Sequence, residues 1–170
     1  STPVVAALNR LVTQGLVEIL PRRGFIVKAF STEDILNYFD TRVMMETWAA
    51  AAATKNVDKF PEIIEEMKQL VEQFDHVDLT DLVAVGPLES RFHQLLIQMA
   101  DNEQLTRLYE FNWSYGSVFF VYSVGKVPPE NFQISLREHR QILECLLSGD
   151  PKKLQTIVKR HLRFLNKAIG

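Results

Sequence analysis

A chain of 170 residues with 46% hydrophobic content can bury one proper core and at most a small appendage. No apolar run reaches the roughly 18 residues that a membrane-spanning helix needs, and no charged-then-apolar signal segment opens the chain, so no membrane partner is expected and the setting reads as cytoplasmic. The single cysteine, Cys145, excludes an internal disulfide and, within the mainly apolar run Ile142 to Leu147, reads as a buried thiol rather than a redox centre.

The net charge of −2 divides unevenly, with residues 1–30 summing to +3 and the remainder to −5. Such a split suggests a small basic module joined to a larger acidic one. In the first module, Thr2 and Pro3 supply an N-cap and a first-turn proline. Val4, Ala7, Leu8 and Leu11 then recur at helical spacing until Gly15 can end the helix. Leu16 to Leu20 reads as a strand, Pro21-Arg22-Arg23-Gly24 as a turn, and Phe25 to Lys28 as the returning strand. An isolated hairpin is marginal in water, so this unit is expected to be the latter part of a domain whose earlier residues precede Ser1.

Ser1-Thr2-Pro3-Val4, Ala7-Leu8, Leu11, Gly15-Leu16-Val17 and the Arg23-Gly24 turn resemble the end of the winged helix of GntR-family transcription regulators. The resemblance implies that residues 1–30 are a partial DNA-binding domain, the helix being the recognition helix and the hairpin the wing. Ser1, Thr2, Arg10, Arg22, Arg23 and Gly24 would then approach double-stranded operator DNA. Val5 and Ala6 stand where the family motif commonly has Arg-Glu, so sequence preference is expected to differ from the usual one or binding to be weaker.

Ser31 with Asp34 three positions on approximates a capping box, which opens a second domain over residues 31–170. Beyond it no strand-like alternation occurs. Six helical segments fit, at about 31–54, 58–75, 79–100, 103–123, 130–148 and 151–168. The breaks between them, among them Asp101-Asn102 and Gly149-Asp150-Pro151, are short enough to favour antiparallel neighbours in a compact bundle. The fold class expected is therefore mainly α: a partial winged helix, then an antiparallel six-helix bundle.

Polar residues interrupt the apolar stripes of these helices. One face of the third segment runs Val85, Glu89, His93, Leu96, Ala100. The fifth runs Phe132, Leu136, His139, Leu143, Leu146, and the sixth Leu154, Val158, His161, Leu165, Ala168. One carboxylate and three imidazoles thus face the core. Any one buried histidine is commonly just a hydrogen-bonded core residue. Three together are well satisfied by a divalent cation, and nitrogen with oxygen donors suits Zn, Ni, Mn or Fe better than Ca or Mg. For Glu89 an alternative stands: Gly86-Pro87 could restart the helix and place it in a first turn, where a carboxylate is favoured anyway. His76, near a helix end, reads as solvated.

Glu89-Ser90-Arg91-Phe92-His93, followed by Asn102 and Leu105, resembles the Asp-x-x-Phe-His stretch of the FCD effector domain, the usual partner of the FadR-type GntR winged helix. His139-Arg140-Gln141-Ile142, Gly149-Asp150 and His161-Leu162 continue that resemblance to the last helix. It implies a divalent transition metal held by Glu89, His93, His139 and His161, with glutamate replacing the family's aspartate and its extra methylene open to changing denticity or metal preference.

The first bundle helix places Arg42 among Ile35, Tyr38, Met45 and Ala49. Glu46 could satisfy it as an internal pair. The FCD resemblance implies instead that Arg42 clamps a small carboxylate effector, with Tyr115 and Ser117, from the aromatic segment 111–122, closing the cavity. The reading as a whole is a homodimeric, effector-responsive DNA-binding regulator. Its rivals are a metal-dependent enzyme built on the same three-histidine site and a metal-free regulator for a larger acyl ligand.

Overall fold

Ser31 starts the larger part of the molecule as its chemistry predicts. Its hydroxyl accepts from the Asp34 amide at 3.1 Å, and the Asp34 carboxylate accepts from the Ser31 amide at 2.8 Å, so both halves of the capping box are formed. In the computed structural model, residues 2–78, 80–113 and 129–169 are described. Ahead of Ser31 lie helix α1 (Thr2–Thr13) and an antiparallel hairpin of β1 (Val17–Leu20) and β2 (Gly24–Val27). Gly15 and Gly24 take positive φ, at 74° and 99°, where a side chain would be strained. No residue of α1 is buried, and Val17 is the one hairpin residue that is.

The helices that follow are α2 (Thr32–Ala53), α3 (Pro61–His76), α4 (Leu82–Gln98), α5 (Glu103–Trp113), α6 (Pro129–Ser148) and α7 (Pro151–Ile169). The expected segment at 58–75 is divided: Val57–Lys59 forms a 3-10 turn, and α3 opens at Pro61, which has no amide to satisfy and a φ suited to a first turn. The expected segment at 103–123 is described only to Trp113; its continuation lies outside the described residues.

The restart at Gly86-Pro87 does not occur. Asp81 caps α4 by accepting from the Val83 and Ala84 amides at 3.0 and 3.1 Å, and the helix runs on through Pro87. The carbonyl that Pro87 cannot bond belongs to Val83, which is 85% exposed, so water can satisfy it. Glu89 therefore sits within an established helix.

Helix α2 runs against α4, α5 and α7, while α3 packs on α4 and α6, and α6 on α7. Phe39, Met67, Phe92, Leu95, Leu96, Ile142, Leu146 and Leu154 are fully buried between them. Polar ties fix the helices lengthwise. Arg91 donates from Nε and Nη2 to the two oxygens of Glu66 at 2.6 and 2.8 Å, locking α4 to α3. Gln155 Nε2 donates to the Thr47 carbonyl at 3.1 Å, holding α7 to α2. Cys145 is buried and His76, last in α3, is exposed, both as expected. No described helix is long and apolar enough to cross a membrane.

Candidate metal centre

Three helices meet where their apolar stripes are interrupted. α4 brings Glu89 and His93, one turn apart on the same face; α6 brings His139; α7 brings His161. All four are buried, His93 and His139 completely. One ligand atom from each lies within 4.8 Å of all the others. The Nε2 atom of His93 is 3.3 Å from that of His139 and 3.2 Å from that of His161. Glu89 turns one oxygen to each of two imidazoles, Oε2 at 3.4 Å from His93 Nε2 and Oε1 at 3.4 Å from His139 Nε2. The longer side chain thus brings its carboxylate into the cluster with both oxygens facing inward.

The other ring nitrogens are all engaged, and by groups that only accept. His93 Nδ1 donates to Glu46 Oε2 at 2.6 Å, His139 Nδ1 to the Leu136 carbonyl at 2.9 Å, and His161 Nδ1 to Glu138 Oε2 at 3.2 Å. With every Nδ1 carrying its proton, neutral imidazoles must present Nε2 as a bare lone pair. Three such lone pairs and a carboxylate then point at one another in a dry interior. Phe74 stacks on His139 with ring centroids 4.4 Å apart, and Phe92 meets the same ring edge-on at 4.7 Å, which closes the cluster from the apolar side.

These donors suit a transition metal by chemistry and by spacing. Nitrogens about 2.0–2.1 Å from a shared tetrahedral ion stand about 3.3 Å from each other. Four of the six donor separations, at 3.2 to 3.4 Å, match that edge, and all the donors lie within 4.8 Å of one another.

Burial alone would push the Glu89 carboxyl up, but His139 and His93 outweigh it and hold Glu89 well below the usual carboxylate range. Burial draws the His161 imidazole down to about 4 and the Glu138 bond only partly offsets this, so His161 stays neutral with its lone pair available. At His93 burial is overcome by the Glu46 charge, and its pKa rises.

Arg42 lies on the far side of Glu46. Its Nε donates to Glu46 Oε1 at 2.8 Å, and the Tyr109 hydroxyl donates to the same oxygen at 2.7 Å. The internal pair considered from the sequence is therefore formed. The guanidinium sits 4.7 Å from the Trp113 ring centre. Its Nη2 is buried and has no hydrogen-bond partner among the described residues. Despite burial, Arg42 and His93 hold the Glu46 carboxyl down to about 2.

Two carboxylates of this centre were not assigned to it from the sequence. Glu46 stood only as a partner for Arg42, and Glu138 was not singled out. Thr2 and Arg10 are exposed on α1, and Arg22, Arg23 and Gly24 are exposed at the hairpin tip, where Arg22 takes a φ of 60°. Ser1, Tyr115 and Ser117 lie outside the described residues.

The family model of the FCD domain matches residues 37–164, a span that holds Arg42 and the whole histidine cluster. The chain belongs to the FCD-domain family. Among curated relatives, the HTH-type transcriptional repressor RspR of Escherichia coli K12 is 25% identical over 168 residues, which is 98% of this chain and 72% of that protein. Among solved structures, E. coli McbR/YncC superposes with a TM-score of 0.83 at 19% identity, over 99% of this chain and 79% of its own. The Zn2+-bound FCD domain of TM0439 superposes with a TM-score of 0.62 at 23% identity, over 84% of this chain and 96% of its own. The fold is thus shared with both solved structures, and in this chain α2, α4, α6 and α7 carry the buried charged groups and imidazoles.

Proposed function

We propose that this FCD domain is the sensor of a homodimeric DNA-binding regulator, and that it holds a divalent transition metal through Glu89, His93, His139 and His161. The observation that carries the reading is the pointing of three Nε2 atoms and a carboxylate at one place while every Nδ1 is tied to an acceptor. Without a metal, the cluster must share protons among His93, His139 and Glu89, whose oxygens lie 3.4 Å from both rings. One extra proton on His93 can serve one neighbouring Nε2 at a time, whereas two neighbours lie at 3.2 and 3.3 Å. An FCD domain of similar fold, that of TM0439, has been solved with Zn2+, which adds support. When bound, the metal would supply Lewis acidity to an oxygen ligand; the protein's part is to orient the donors and exclude water.

Arg42 is the proposed anchor for a small organic acid. Its Nη2 is a buried, charged donor with no described partner, and such a group is stabilised by an anion. Tyr115 and Ser117 remain candidate contacts of that acid. Acid and metal would act by binding one state of the helical domain better than another. The exposed Thr2, Arg10, Arg22, Arg23 and Gly24, with Ser1, are the proposed DNA-facing set.

Replacing His139 and His161 together by alanine removes two of three imidazoles. Elemental analysis is expected to find about one metal ion per wild-type chain and essentially none in the double variant. Equal metal in the two proteins would show the site to be misassigned.

A further inference from the structure

We infer that Glu46 is a positioning residue for the metal centre: through its bond to His93 Nδ1 it sets the direction and basicity of the Nε2 donor. The inference rests on the metal reading above and adds to it a residue from α2, a helix that supplies no ligand.

The geometry separates Glu46 from an ordinary partner of Arg42. Its two oxygens are divided between tasks. Oε1 takes Arg42 Nε at 2.8 Å and the Tyr109 hydroxyl at 2.7 Å, while Oε2 is left to His93 Nδ1 at 2.6 Å. Had Glu46 served only to neutralise Arg42, a bidentate pair using both oxygens would have been the better-bonded arrangement. Instead Arg42 keeps Nη2 without a described partner, and Oε2 is turned to the imidazole. Glu46 is completely buried, so no water competes for that oxygen.

A carboxylate behind a metal-facing imidazole fixes the tautomer, stops the ring from rotating, and pushes electron density toward the distal nitrogen. The other two histidines have weaker or wetter supports. His139 leans on a neutral backbone carbonyl, and Glu138 behind His161 is partly exposed and shared with Arg160. Glu46 is thus the one fully buried anion among the three supports, and His93 is the ring whose Nε2 touches both other imidazoles and Glu89. Turning that ring would disturb every other donor.

The test is a Zn2+ titration of the whole chain against a competing fluorescent chelator, for wild type, Glu46→Gln and Tyr109→Phe. Glu46→Gln keeps size and shape but loses the charge, and is expected to weaken zinc binding about 10- to 100-fold. Tyr109→Phe removes another bond to Glu46 and loosens the same part of the core, yet leaves the His93 bond, so its zinc affinity is expected to match wild type. If Glu46→Gln fails to fold, Arg42→Met with Glu46→Gln removes both charges together and is expected to show the same loss of affinity. Zinc affinity equal to wild type in the Glu46 variants overturns the inference while leaving the metal site standing. Equal losses in Glu46→Gln and Tyr109→Phe overturn it as well, because they would reflect general loosening. A wild-type chain that takes up no zinc overturns the metal reading itself.

Discussion

His93, His139 and His161 were legible because each stands where a helical stripe calls for an apolar side chain, and a stripe is a local property of 3.6-residue periodicity. Glu46 was visible only as a neighbour of Arg42, since spacing reveals partners one turn away and nothing about His93, 47 positions on. Glu138 shows the same limit: it adjoins His139 in the chain but bonds His161 on the next helix. Arg42 has its own testable consequence. The pair with Glu46 is wholly buried, at 3% and 0% side-chain exposure, so removing the cation alone leaves a charge in a dry core. Arg42→Met is expected to lower stability by about 3–5 kcal/mol in chemical denaturation. A loss below about 1 kcal/mol would mean that Glu46 is satisfied without Arg42.

At the level of elements, starts and stops were read most securely where a side chain completes the backbone's hydrogen bonds. Ser31 and Asp34 announce α2, and Gly149, at φ 72°, ends α6 before Asp150 accepts from the Lys153 amide at 3.0 Å to begin α7. Pro87 was the ambiguous signal. A proline costs a helix one hydrogen bond and crowds the carbonyl four residues back; here that carbonyl belongs to Val83 in the exposed first turn, where it can turn to water, and the helix continues. Because the capping box of α2 is exposed and its acceptors are the Ser31 and Asp34 side chains, Ser31→Ala is expected to cost about 1 kcal/mol, measured as a shift in the denaturation midpoint with unchanged slope. A midpoint equal to that of wild type would show that packing, not the cap, fixes the start of α2.

For the molecule as a whole, the uneven charge and the change from hairpin to bundle pointed to a basic module joined to an acidic one, and the FCD match from residue 37 to 164 falls within the second. What the sequence left open was convergence. Helical stripes show that polar groups face inward, but only packing shows that α4, α6 and α7 direct them to one point while α2 supports the arrangement from behind. The central claim is that this point is a metal site built from three imidazoles and a carboxylate. X-ray absorption spectroscopy of the zinc-loaded chain tests it most directly, because outer-shell scattering counts imidazole rings. Three rings are expected, with nitrogen and oxygen donors at about 2.0–2.1 Å. A zinc ion surrounded by water or by fewer than two imidazoles, or no zinc retained at all, would contradict it.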